Sequence, residues 1–211
     1  SETAKDRGMI LILAILVFSY LLGGVPFGYL AGRLALGKDI RTLGSGNPGA
    51  SNVFRQAGPA WGIGVLILDA GKGLAAVLIS RALMAGNQEA TLLAAGLMAI
   101  LGHSFTPYLG FRGGKGVATS AGVFLGLAPA ALGIAFCIFL IVLVLGRMIS
   151  LASLVASLAL PGVLFARNPD KSLIFFASLF VAALVWYRHR SNIGRILRGE
   201  EPRFTVRKEE S

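Results

Sequence analysis

Long apolar runs separated by short polar, glycine-rich segments set the pattern of this chain. A helix needs about 20 mainly apolar residues to cross roughly 30 Å of hydrocarbon. Five runs qualify: Met9 to Ala31, Ala60 to Leu83, Ala90 to Leu109, Ile149 to Ala166 and Ser172 to Tyr187. Val117 to Gly146 does not fit that scheme, since as one helix it would extend about 45 Å. Pro129, preceded by Gly126 and Ala128, is the natural break and predicts two short spans there. The expected fold class is therefore an all-α integral membrane protein with seven transmembrane helices, some short or broken, forming a single domain over 1–211. The run from Met9 has no small-residue cleavage pattern after it, so it reads as the first span rather than a removed signal peptide.

Composition agrees with this pattern. Hydrophobic side chains make up 55% of the 211 residues, charged ones only 14%, and mean hydropathy is +0.74, whereas soluble domains carry roughly 25% charge. Twenty Lys and Arg against ten Asp and Glu give a net charge of +10. Nucleic acid is not needed to explain that excess, because loops facing an anionic cytoplasmic leaflet attract Lys and Arg. With seven spans and an outer N-terminus, the inner segments hold Arg33, Lys38, Arg41, Arg55, Arg112, Lys115 and Arg147, then Arg188, Arg190, Arg195, Arg198, Arg203, Arg207 and Lys208 of the tail. Only Lys5, Arg7, Arg81, Arg167 and Lys171 stay outside. Six spans would put the two richest segments on opposite faces. The positive-inside rule thus selects seven spans with a cytoplasmic C-terminus. The lone Cys137, in an apolar run, allows no intrachain disulfide and reads as a small buried hydrophobe.

This sidedness brings three polar stretches, 43–55, 111–119 and 188–201, to one face. In the first, Gly44-Ser45-Gly46-Asn47-Pro48-Gly49-Ala50-Ser51-Asn52, small residues let backbone N–H groups turn toward an anion. Ser51 or Asn52 is placed to cap a helix running into the second span, with Arg55 one turn in. In the second, glycines bracket Lys115, so backbone and ammonium can approach a phosphate together. Gly116 stands where a Walker A loop needs Ser or Thr, which argues against nucleotide hydrolysis. The third begins with Arg188-His189-Arg190-Ser191-Asn192, where His189 has an open hydrogen-bonding or acid–base role. Asp69 and Lys72 share a helical face inside a span and form an ion pair at least. His103, also in a span, reads as a packing histidine.

Scarcity of acid narrows the chemistry. Five positions after His103 stands Tyr108, and five after His189 stands Gly194, so no His-x-x-x-x-Asp acyltransferase dyad exists. Nor are there the clustered aspartates that a CDP-alcohol phosphotransferase uses to hold metal. What remains is a membrane-face site of cations, amides and hydroxyls, suited to phosphorylated ligands and holding little protein base. A phosphate transporter would want similar loops, but would show internal repeats with a midplane site. A structural or regulatory membrane protein would need none of Ser45, Arg55 and Lys115 in such loops.

Four motifs carry a resemblance: G-S-G-N-P-G-A-S-N-V-x-R at Gly44 to Arg55, D-x-x-K-G at Asp69 to Gly73, G-H-x-F-x-P-x-x-G-F-R-G-G-K-G-V-A-T at Gly102 to Thr119, and R-H-R-x-N-I at Arg188 to Ile193. Over almost its whole length the chain resembles the bacterial acyl-phosphate:glycerol-3-phosphate acyltransferase family (PlsY). The resemblance implies an inner-membrane enzyme that moves a fatty acyl group from acyl phosphate to the 1-hydroxyl of sn-glycerol 3-phosphate, yielding lysophosphatidic acid and phosphate. By the same resemblance Ser45, Arg55, Lys115, His189 and Asn192 are catalytic. Gly46, Asn47, Asn52, Lys72, Gly113, Gly114, Gly116 and Thr119 are expected to bind substrate phosphate, and Asp69, His103 and Glu201 to be structural, with Glu200 the neighbouring alternative to Glu201. Glycerol 3-phosphate, acyl phosphate and membrane lipid are the implied partners, with no cofactor, no metal and a functional monomer.

Overall fold

The computed structural model describes residues 2–84, 89–167 and 172–204. Lys171, Arg207 and Lys208, which entered the charge count, lie outside them. Among the described residues ten α-helices follow one another: α1 (Glu2–Gly24), α2 (Phe27–Leu36), α3 (Ala50–Ala57), α4 (Pro59–Leu83), α5 (Glu89–Ser104), α6 (Val117–Leu127), α7 (Pro129–Gly146), α8 (Ile149–Arg167), α9 (Leu173–Arg188) and α10 (Arg190–Leu197). Short 3₁₀ turns lie at Ile40–Thr42 and Pro107–Leu109. No strand occurs among the described residues. Among them five apolar helical segments are long enough to cross a membrane, beginning with Lys5–Leu36, or six when α9 and α10, bent by 61°, count as one broken span. The remaining apolar helix, α6, has 11 residues. This is a multi-pass, all-helical arrangement.

The break at Pro129 lies where the pattern put it, with α6 ending at Leu127 and α7 opening on the proline. Three boundaries differ from the sequence reading, each for a backbone reason. The first span is interrupted at Val25–Pro26 instead of running on to Ala31, because Pro26 brings no N–H and its ring crowds the preceding turn. The helix into the second span is cut at Gly58, whose φ of 96° lets α3 end and Pro59 start α4. Gly49 caps α3, while Ser51 and Asn52 lie inside it. Cys137, expected to be buried, is exposed on α7. Only Ala131 and Ala135 are buried on that helix, and a lipid-facing position asks only that a side chain be apolar.

The chain forms two compact units, Ser1–Pro129 and Ala130–Ser211. In the first, α4 packs against α6 through small residues: a Cβ on Gly73 would strike the Thr119 carbonyl, and one on Gly122 the Ala70 carbonyl. Backbones in lipid approach closely at such positions, where van der Waals contact replaces the missing hydrophobic drive. The α1–α5 contact follows the same rule, Gly102 lying against the Tyr20 carbonyl and Gly23 against Ala99. In the second unit α8 packs on α9, and the Trp186 indole N–H reaches the Leu154 carbonyl at 3.4 Å. The tail returns to the α7–α8 junction, where the Phe204 N–H donates to the Arg147 carbonyl at 2.5 Å.

Candidate active site

The loop before α3 is shaped by one buried amide. Asn52, 2% exposed, donates from Nδ2 to the carbonyls of Ile40 (3.2 Å) and Leu43 (3.0 Å), and its Oδ1 accepts the Ser45 N–H at 3.1 Å. Asn47 accepts the Gly49 N–H at 3.0 Å and closes the next turn. Gly44 and Gly46 have φ of 54° and 69°, a region a side chain would strain. Ser45 and Arg55 are left at the surface, with Arg55 Nη1 donating to Ser51 Oγ at 2.8 Å. The whole loop rests on α2, where Gly28 leaves room for the Pro48 carbonyl. Asn47 and Asn52, expected as ligands of phosphate, are thus engaged in building the loop that presents Ser45.

The Lys115 loop is built differently. α5 ends at Ser104, and its last carbonyls need partners. Gly114 N–H donates to the His103 carbonyl at 3.1 Å and Gly113 N–H to that of Ser104 at 3.2 Å. These two N–H groups are therefore committed to the helix end, and what the glycines contribute is close approach. A Cβ on Gly113 would meet the His103 carbonyl, and one on Gly114 the His103 imidazole. Gly116, with φ of 84°, then turns the chain into α6 as its N-cap, which sets half-buried Lys115 beside the positive end of that helix. Thr119 is fully buried in the first turn of α6 against Gly73.

Lys72 is not at the surface. It is 4% exposed, and its Nζ lies 2.7 Å from Asp69 Oδ1 and 2.8 Å from the Val25 carbonyl, with the Phe27 ring centroid 5.5 Å away. His103 Nδ1 stands 3.5 Å from the same Asp69 oxygen. The expected ion pair and packing histidine are thus one cluster, and Lys72, grouped above with the phosphate-binding residues, has buried protein partners. Sequence reasoning passed over the other residues at this level. Thr106, 2% exposed, donates to the Gly24 carbonyl at 2.6 Å, and the Tyr20 hydroxyl donates to that of Phe105 at 2.6 Å. A usable signal was Gly23-Gly24-Val25-Pro26 inside an apolar run, which frees carbonyls for distant partners.

In the second unit, His189 (3% exposed) sits at the bend between α9 and α10, its Nδ1 2.8 Å from the Val185 carbonyl. A carbonyl only accepts, so that contact puts a proton on Nδ1 and makes Nε2 the acceptor of the neutral ring. Asn192 Nδ2 donates to Glu201 Oε1 at 2.6 Å, and Arg195 Nε to Glu201 Oε2 at 2.8 Å. Burial alone would raise the Glu201 carboxyl, but the donors Asn192 and Arg195 hold it below its ordinary value. Glu200 is exposed and pairs with exposed Arg198. Of the two neighbours, it is Glu201 that anchors Asn192.

Comparison with known proteins follows this layout. A family model described as glycerol-3-phosphate acyltransferase matches residues 13–199. The chain belongs to the glycerol-3-phosphate acyltransferase family. The family member from Geotalea daltonii is 46% identical over 192 residues, spanning 91% of this chain and 97% of that one. Another, from Desulforudis audaxviator, is 43% identical over 197 residues, with 93% and 98% covered. Among solved structures, the glycerol 3-phosphate form of PlsY, an integral membrane glycerol 3-phosphate acyltransferase, superposes with a TM-score of 0.84 at 38% identity, covering 92% of this chain and 96% of that one. Its lysophosphatidic acid form gives 0.83 at 36% identity.

Proposed function

We propose that this chain transfers a fatty acyl group from acyl phosphate to the 1-hydroxyl of sn-glycerol 3-phosphate. One observation carries the reading: glycine-bracketed Lys115 stands at the N-terminus of α6 in a chain that the family model matches from residue 13 to 199. In the reaction the glycerol oxygen bonds to the acyl carbon, the carbon–oxygen bond to phosphate breaks, and inorganic phosphate leaves with both electrons of that bond. Because phosphate leaves far more readily than an alkoxide, little enzymic base is required. Lys115 and Arg55 neutralise the two phosphate groups and hold hydroxyl against carbonyl, and positioning supplies most of the rate. Ser45 hydrogen-bonds a phosphate or the carbonyl oxygen, Gly46 and Gly116 admit the anion, and His189 with Asn192 orients glycerol phosphate. The hydroxyl proton passes to a phosphate oxygen or to His189 Nε2.

The same proposal includes seven spans, with α6 as a short one, an outer N-terminus, a cytoplasmic-face site in the bacterial inner membrane, acyl tails entering from the lipid, and a functional monomer. The fourteen inner against five outer Lys and Arg named above support it. The test is phosphate release and lysophosphatidate formation by purified protein given glycerol 3-phosphate with palmitoyl phosphate or palmitoyl-CoA. Turnover is expected with acyl phosphate alone, falling by about 10³ or more in Lys115→Ala. Turnover with the thioester alone would refute the donor assignment.

A further inference from the structure

We infer that Asp69, Lys72 and His103 form a buried positioning relay that fixes the Ser45 loop and the Lys115 loop relative to one another. This rests on the function proposed above, which places both loops on substrate. Three helices meet at the cluster. α4 supplies Asp69 and Lys72, 2% and 4% exposed, and α5 supplies His103, 8% exposed. At the break of the first span the Val25 carbonyl accepts from Lys72 Nζ at 2.8 Å while Phe27 lies under the same ammonium. Charged groups at membrane depth are kept there only with partners, and here Lys72 and His103 both meet one oxygen of the carboxylate, Asp69 Oδ1.

From that carboxylate two mechanical paths run outward. On one side, His103 Nδ1 stands 3.5 Å from Asp69 Oδ1, its carbonyl takes the Gly114 N–H, and its ring lies so close over Gly114 that a Cβ there would overlap Nε2. Lys115 is the next residue. On the other side, Lys72 fixes where α1 stops and α2 starts, and α2 bears the loop through Gly28 against Pro48 and Gly32 against Ile40. Ser45 belongs to that loop and is held by Asn52 of α3. Each path is a chain of buried contacts, so displacement of the Asp69 carboxylate shifts one loop against the other. A transfer between two phosphorylated substrates depends on that spacing, and an error near 1 Å costs about a hundredfold in rate. The three are positioning residues; none is assigned to substrate.

A double substitution, Asp69→Leu with Lys72→Met, removes the pair without leaving an orphan charge, a change that buried pairs often tolerate. With the thermal midpoint in detergent unchanged, the expected result is a fall in kcat of about a hundredfold with both KM values within about threefold. A folded double variant with kcat within about twofold of wild type overturns the relay. If that variant does not fold, Gly114→Ala decides. Alone it should lower kcat about a hundredfold by displacing the imidazole, and adding His103→Ala, which makes room for the new methyl, should leave the pair no worse than His103→Ala by itself. A double variant worse than either single one would show that Gly114 acts on substrate, and would overturn its part in the relay. Wild-type protein inert toward acyl phosphate would sink the functional reading and the relay with it, whereas active wild type with normal variants sinks the relay alone.

Discussion

Asn52 shows what a residue type can and cannot reveal before its partners are known. As an amide in a glycine-rich motif it read as a phosphate ligand, yet its Nδ2 and Oδ1 make three bonds to Ile40, Leu43 and Ser45. A buried backbone group left unpaired costs about 1–3 kcal/mol. Asn52→Ala is therefore expected to lower the midpoint of thermal unfolding and to cut kcat/KM by more than tenfold through the slackened Ser45 loop. An unchanged midpoint with the same loss of activity would return Asn52 to the substrate. Lys72 shows the same limit. Its spacing from Asp69 was legible because i and i+3 share a helical face, whereas its second partner, Val25, lies 47 positions away. Ser45, Arg55 and Lys115 stand out in the sequence as candidates because turns and packing have little use for them. Their geometry does not, since it depends on which carbonyls of α5 lie behind the Lys115 loop and which glycines of α2 leave room for the Ser45 loop.

At the scale of elements, breaks were legible where proline stood close to glycine and alanine within an over-long run, as at Pro129. They were missed where the run had the right length without a break, as at Pro26, and where a helix merely changed direction, as at Gly58. The short helix α10 depends on neither pattern. It is eight residues long, too short to be stable alone, and Glu201 ties it down through Asn192 and Arg195. Because the folded-state carboxyl is held below its ordinary value of 4.5, the unfolded chain takes up the proton first as pH falls. The anchor's contribution is thus fully present above about 4.5 and is lost as pH drops through the lower, folded-state value. Solubilised protein should show a falling thermal midpoint across that acid range, and Glu201→Gln should flatten the dependence while lowering activity at neutral pH. An identical pH profile for wild type and variant would remove Glu201 from the anchoring of α10.

For the whole molecule, all-helical membrane character was legible from apolar run length alone, because lipid leaves the backbone no partner but its own helix. Sidedness is a property of the charge pattern and is checked by labelling. In a Cys137→Ser background, which removes the exposed thiol, Arg198→Cys should react with a membrane-impermeant maleimide in inside-out vesicles, and Arg167→Cys in right-side-out ones. The reverse pattern would invert the proposed orientation, and both sites reacting from one side would show that α9, which lies between them, does not cross the membrane.

The interrupted first span also bears on how the chain is made. The carbonyl of Gly24 finds Thr106, 82 positions later, and that of Val25 finds Lys72, 47 positions later. At elongation rates of about 5–20 residues per second, some 4–16 s separate emergence of the break from emergence of its last partner. The groups that complete the break in the first span are therefore made only after that span itself, and the Gly24 and Val25 carbonyls gain these partners once α4 and the end of α5 have followed.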